Sequence, residues 1–305
     1  MRKESRQTVT MNYQTIQGYH NRTWDESYAS TGFERGFRYW ASDRPIDADK
    51  VENPKGYGIE WETVSGINNQ RVMVFALSTI ANEIFTKGIV KFQNDASLGG
   101  ESNAEMITEI MTKAYIRNNY SAWKEFYNVT KEMDICPDES CGQHVNISIA
   151  NFGKTKEKQI ENMVKIHNWM SKNYELACKL LKRNEAHTMY CRRMGEITPD
   201  DVKNDNVMTG HGVCINWAHV NEDTKTARLE IRLVGPQKTF VMFRNTLEVI
   251  FWLVKQSKEL STKDWENPEK LWSGCNQYVM QRLSGFLDAD TERKIAAAVV
   301  REELI

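Results

Sequence analysis

Three short segments carry side chains able to bind cations and phosphate. In Gly58-Ile59-Glu60-Trp61-Glu62-Thr63 a strand period of two puts Glu60 and Glu62 on one face, roughly 6.5–7 Å apart, with Ile59 and Trp61 on the other. Two carboxylates so spaced suit neighbouring divalent ions such as magnesium, which favour carboxylate oxygen and bridge to nucleotide phosphates. Gln143-His144-Val145-Asn146-Ile147-Ser148 sets His144, Asn146 and Ser148 against Val145 and Ile147. Arg228-Leu229-Glu230-Ile231-Arg232-Leu233 sets Arg228, Glu230 and Arg232 against an apolar triplet. Any antiparallel strand with one wet face alternates in this way, so each segment alone reads as ordinary sheet. Glu-x-Glu, His-x-Asn and Glu-x-Arg together leave a binding face and a merely solvated face in balance.

The elements that must position these residues follow from periodicity. Strands are predicted over 57–64, 89–93, 144–149, 213–219 and 227–234, and helices over 70–86, 113–132 and 155–183. Phe240, Phe243, Leu247, Ile250 and Val254 mark a further helix, and the chain from Trp265 onward is mostly helical. Strands that alternate polar and apolar, interleaved with helices, indicate an α+β fold with a mainly antiparallel sheet. The expected organisation is an extension over 1–52, a main domain over 53–258, which the resemblance described below would make catalytic, and a helical segment over 259–305 packed on it. Trp61 is expected to pack behind the sheet, and His167, on the apolar stripe of the long helix, to be a packed histidine. His211, between two glycines, reads as a turn residue or a neighbour of the site.

With 305 residues the chain can bury a sizeable core. The 40 Lys and Arg residues nearly cancel the 41 Asp and Glu, which argues against a global field for nucleic acid or an anionic membrane. No run approaches the ~20 apolar residues that span a bilayer. The polar stretch from Met1 to Thr10 lacks the apolar core of a signal peptide, so a cytoplasmic location is expected. Six cysteines without a CxxC pair read as reduced thiols. Cys136, Cys141 and His144 offer three zinc ligands, one short of a structural site.

Several of these segments, in order, resemble the amidoligase family of the glutamine synthetase-like carboxylate–amine/ammonia ligases. Tyr57-Gly58-Ile59-Glu60-Trp61-Glu62 is similar to that superfamily's first acidic strand, and Cys141-Gly142-Gln143-His144-Val145-Asn146 to a Cys-Gly-x-His-Val-His signature, with Asn146 in place of the second histidine. Asn94-Asp95-Ala96-Ser97-Leu98, then Ala104-Glu105-Met106, resembles an Asp-x-Ser turn and the Glu strand after it. Arg183-Asn184, Tyr190-Cys191 and Ile215-Asn216 fit the spacing ahead of the Glu-x-Arg strand and Gly235-Pro236. The likeness runs from about residue 56 to 255.

The resemblance implies a curved, mainly antiparallel sheet of glutamine synthetase catalytic-domain type, backed by helices. It implies ATP and Mg2+, with Mn2+ as an alternative, and a metal-binding set of Glu60, Glu62, Glu105, His144 and Glu230. Glu101 competes with Glu105 for its place. Arg232 would stabilise the transferred phosphoryl group, with Arg192, Arg193 or Arg244 as helpers. Ser97 and Asn146 are further cofactor-side candidates, and Asp95 and Ser97 would lie near the acceptor. The catalytic set is then Arg232, Glu230 and Asp95. The activity implied is ATP-dependent amide or isopeptide formation through an acyl phosphate, joining a small-molecule or peptide carboxylate to an amine or ammonia; oligomerisation is left open. No GxxxxGK[ST] loop occurs in the chain, so an acidic sheet would have to hold the triphosphate. The alternatives are a phosphotransferase on the same fold, or a catalytically retired nucleotide-binding or structural module.

Overall fold

A computed structural model describes residues 38–40, 55–66, 70–85, 90–93, 98, 102–108, 111–184, 189–222 and 227–297. In chain order the elements are β1 (Arg38–Trp40), β2 (Tyr57–Ser65), α1 (Gln70–Ile84), β3 (Val90–Gln93), β4 (Ser102–Thr108), α2 (Lys113–Asn118), α3 (Tyr120–Glu132), β5 (Ile135–Cys136) and β6 (Gln143–Ser148). There follow α4 (Lys156–Lys172), α5 (Tyr174–Leu180), α6 (Pro199–Lys203), β7 (Ile215–Asn216), β8 (Arg228–Val234) and α7 (Phe240–Glu259). Four shorter helices close the described chain: α8 (Thr262–Trp265), α9 (Pro268–Trp272), α10 (Gln277–Leu283) and α11 (Ala289–Ala297). Among the described residues no helix is long and apolar enough to cross a membrane.

The strands form one antiparallel sheet in the order β1-β3-β4-β2-β6-β8-β7, with β5 pairing the end of β2. The α+β class stands, but the curved sheet of glutamine synthetase type does not: this sheet is open, with β1 at one edge and β7 at the other, and is not curved. Sheets are bent by repeated bulges or glycine kinks, and the described ladders hold a single irregularity, between Gln143 and Val145. There Gln143 faces Val234 and Val145 faces Ile231, so Arg232 and Leu233 together stand opposite His144.

One face of the sheet is apolar and covered. Ile59, Trp61, Phe92, Met106, Val145, Ile147, Leu229 and Ile231 are buried there. Trp61 packs edge-on against Phe126 and Tyr127 of α3, each at 5.5 Å, and Tyr57 against Phe251 of α7 at 4.6 Å. Such aromatic pairs add about 0.5–1.5 kcal/mol beyond the area they bury.

Two long helices predicted from periodicity are each broken by an asparagine. Asn119 separates α2 from α3 and donates its side-chain amide to Tyr115 O at 2.8 Å; Asn173 separates α4 from α5 and donates to Trp169 O at 3.0 Å. A side chain that satisfies a carbonyl four residues back competes with the helix ladder, a local effect that apolar periodicity does not register. The predicted strand 213–219 is likewise reduced to Ile215–Asn216, because Asn216 Oδ1 accepts from Ala218 N at 3.1 Å and turns the chain.

Candidate functional site

The opposite face carries a row of polar groups running across five strands. Strand register sets it: Glu62 of β2 lies opposite Glu105 of β4, Glu60 opposite His144 of β6, Asn146 opposite Glu230 of β8, and Glu230 opposite Asn216 of β7. Directly opposed residues are the closest neighbours across a ladder, so groups far apart in sequence converge without help from loops. Arg232, one residue beyond the Ile231–Val145 pair, falls beside His144 and joins the same row.

His144 is the hub. Its Nδ1 lies 2.8 Å from Glu60 Oε2 and 3.5 Å from Glu230 Oε1, and its Nε2 lies 3.5 Å from Glu62 Oε1. Arg232 Nη1 donates to Glu230 Oε1 at 2.5 Å and stands 3.3 Å from His144 Nδ1. Ligand atoms of Glu60, His144 and Glu230 form one set within 4.8 Å of one another, and those of Glu62, Glu105 and His144 a second. Imidazole joins the two sets, one ring nitrogen facing Glu60 and Glu230 and the other facing Glu62. Glu62, Glu105, His144, Glu230 and Arg232 are all buried, in a protein whose charged side chains are otherwise mostly at the surface.

Burial would push the Glu60 carboxyl up, but the hydrogen bond and charge of His144, the bond from Asn146 and the charge of Arg232 outweigh it and hold it well below its ordinary value. Burial would lower His144, yet the bond to Glu60 and the charges of Glu62 and Glu60 outweigh it, against Arg232, and raise the imidazole above its ordinary value. Four carboxylates and two cationic side chains leave a formal excess of two negative charges. The donor set, carboxylate oxygen with one imidazole, fits a hard or borderline divalent ion.

The structure brings together Glu60, Glu62, Glu105, His144, Glu230, Arg232 and Asn146. It does not bring in Arg244, which lies on α7 with its guanidinium 4.0 Å from the Tyr278 ring centre and 5.6 Å from that of Phe240. Arg192 sits on an exposed edge segment and donates to Gly212 O at 3.3 Å, and Arg193 and His211 are exposed nearby. Asp95, Ser97 and Glu101 lie outside the described residues. The three-ligand zinc grouping does not form: His144 is engaged by the acids, and Cys136 and Cys141 are free thiols. His167 is a packed histidine, accepting from Trp217 Nε1 at 3.1 Å and facing Gly195 O at 2.8 Å. A cavity of about 880 Å3 between α4 and the C-terminal helices, lined by Trp169, Trp265 and Trp272, includes none of the row.

Sequence reasoning gave no role to two donors. Asn216 donates to Glu230 Oε2 at 2.8 Å, and the Gly142 N–H donates to Glu62 Oε2. A side chain at 142 would stand 2.6 Å from Arg183 Nη2 and 3.3 Å from Glu62 Oε2, so glycine there is a matter of space. The Cys141-Gly142 pair before His144 was the available signal.

No family model and no curated protein matches this chain.

Proposed function

We propose that this chain is a divalent-cation-dependent, ATP-using carboxylate–amine ligase of the amidoligase type. The observation that supports it best is the convergence of four carboxylates, His144 and Arg232 from strands β2, β4, β6 and β8 into one row, buried except for the half-buried Glu60. Mg2+ or Mn2+, bound there, would neutralise phosphate oxygens and orient the triphosphate.

In this reading Glu60, Glu230 and His144 hold one cation position, and Glu62 with Glu105 a second. Arg232, a donor beside both, steadies charge on the transferred phosphoryl group. A carboxylate is a poor electrophile, so its oxygen first attacks the γ-phosphorus and ADP leaves. The amine nitrogen then attacks the acyl carbon, inorganic phosphate leaves with the acyl C–O bond electrons, and the ammonium proton passes to solvent. The residues of the row position and neutralise; none forms a covalent bond to substrate. The acid is a small-molecule or peptide carboxylate and the acceptor an amine or ammonia. Six free cysteines fit a reducing, cytoplasmic setting.

The test is ADP release with Mg2+ and ATP across a panel of amino acids, acidic peptides and amines. ADP release that requires both an acid and an amine is expected. Release with an acid alone and accumulation of a phosphorylated product would make the protein a phosphotransferase instead, and absence of ATP and Mn2+ binding would make it a non-catalytic module.

A further inference from the structure

The three carboxylates around His144 share a feature that a random acidic patch would not show. Each turns one oxygen inward and has the other held by an amide donor. Glu60 presents Oε2 to His144 while Oε1 accepts from Asn146 Nδ2 at 2.7 Å. Glu230 presents Oε1 to Arg232 and His144 while Oε2 accepts from Asn216 Nδ2 at 2.8 Å. Glu62 presents Oε1 to His144 Nε2 while Oε2 accepts from the Gly142 N–H.

Both asparagines are themselves fixed. Asn146 Oδ1 accepts from Arg228 Nε at 3.1 Å, and Asn216 Oδ1 accepts from Gly210 N at 3.0 Å and Ala218 N at 3.1 Å. Because those partners are donors, each amide must aim its NH2 at the carboxylate; the opposite flip would set donor against donor. Both side chains are buried, so water does not readily replace these bonds.

We infer that Asn146, Asn216 and the Gly142 N–H hold Glu60, Glu230 and Glu62 to one-oxygen ligation, and that this selects Mg2+ or Mn2+ against Ca2+. The inference rests on the cation-binding reading above. Ca2+ takes six to eight oxygens and readily uses both oxygens of a carboxylate, whereas Mg2+ requires a small octahedral shell in which each carboxylate gives one. An amide hydrogen bond on the outer oxygen occupies one of its lone pairs and fixes how the carboxylate is turned, so Ca2+ would gain that oxygen only by turning the acid against a buried bond. Asn146 and Asn216 are thus positioning residues that act through the acids they hold.

The experiment measures Mn2+ and Ca2+ dissociation constants calorimetrically on the full chain, as wild type, Asn146→Ala, Asn216→Ala and the double variant. The ratio of the two constants within one variant does not depend on the fraction that is folded. Wild type is expected to favour Mn2+ by at least about tenfold, and each substitution to shift the ratio toward Ca2+ by about tenfold, the scale on which outer partners tune metal sites. A merely structural role would weaken both ions alike, and an unchanged ratio in the variants overturns the inference. Infrared difference spectra of the wild type loaded with Mg2+ give a second readout: carboxylate stretching of the one-oxygen type is expected, and a two-oxygen signature overturns the inference. Absence of binding of either ion to the wild type overturns the ligase reading itself, a result separate from an unchanged ratio.

Discussion

Two buried acidic centres in this protein are built on opposite plans. On α7, Glu248 receives Arg117 Nε at 2.8 Å and Tyr120 OH at 2.7 Å on Oε1, and Arg117 Nη2 at 2.5 Å and Asn276 Nδ2 at 2.9 Å on Oε2. Both oxygens are engaged, and the centre is closed. On the sheet, Glu60, Glu62 and Glu230 each have one oxygen held by an amide donor and turn the other toward a shared imidazole, with Arg232 also bonded to that oxygen of Glu230. The histidines repeat the contrast. His167 accepts from Trp217 on one nitrogen and faces a carbonyl with the other, whereas both nitrogens of His144 face acids. Burial marks all of these groups, so burial does not distinguish a site from a structural brace. Carboxylate oxygens from separate strands turned toward one imidazole do.

That contrast is broken or sharpened most strongly by removing one acid from each centre. Glu248→Ala leaves the Arg117 cation without its partner and is expected to cost about 3–5 kcal/mol in denaturant unfolding, with Mn2+ affinity of the folded fraction unchanged. Glu230→Gln is expected to leave the fold nearly intact and to lower ADP release by on the order of 10²–10³. If the two variants exchanged these phenotypes, the open and closed assignments would be reversed.

A smaller effect is expected at Gly235, just beyond the strand carrying Glu230 and Arg232. A Cβ there would lie 1.8 Å from Lys182 O, and the Gly235 N–H donates to Leu181 O at 3.0 Å. Gly235→Ala must move backbone, and a loss of about 1–3 kcal/mol is expected. Because it shifts β8 as a unit, melting temperature and ADP release should fall together; a loss of activity at unchanged melting temperature would mean that the row does not depend on strand placement.

The smallest effect concerns pH. Burial, against the bond to Gly195 O, lowers the pKa of His167 below its ordinary value of 6.5, so the folded protein holds the neutral ring. Protonation would also place an N–H against the Trp217 donor. A histidine depressed in this way contributes stability that is present above pH 6.5 and is lost as the pH falls from 6.5 through its folded value, because the unfolded chain binds the proton first. Unfolding free energy should therefore decline more steeply below pH 6.5 in wild type than in His167→Gln, and parallel profiles would remove His167 from the closed class.

Much of the row was legible in sequence because it is written in strand period. Glu60 with Glu62, His144 with Asn146, and Glu230 with Arg232 each share a face by alternation alone, and the ladders then align them. Asn216 fitted the spacing but was given no role, because its role depends on register with Glu230 across a strand only two residues long. Glu248 was invisible for the opposite reason: it sits in a strongly apolar helix, and only the packing of α2, α3 and α10 around α7 supplies its donors. Arg244 was a plausible phosphate partner by residue type, yet α7 carries it to the Tyr278 ring.

The sequence by itself determined which side of each strand would be wet, where Trp61 would pack, and that helices and antiparallel strands would interleave, since all of these follow from local periodicity and side-chain chemistry. Tertiary structure decided that the sheet stays open and uncurved, that the register of β8 on β6 sets Arg232 beside His144, and that three amide donors each hold the outer oxygen of an acid. Those outcomes depend on register between strands distant in the chain, and register is a property of the assembled sheet that no single segment encodes.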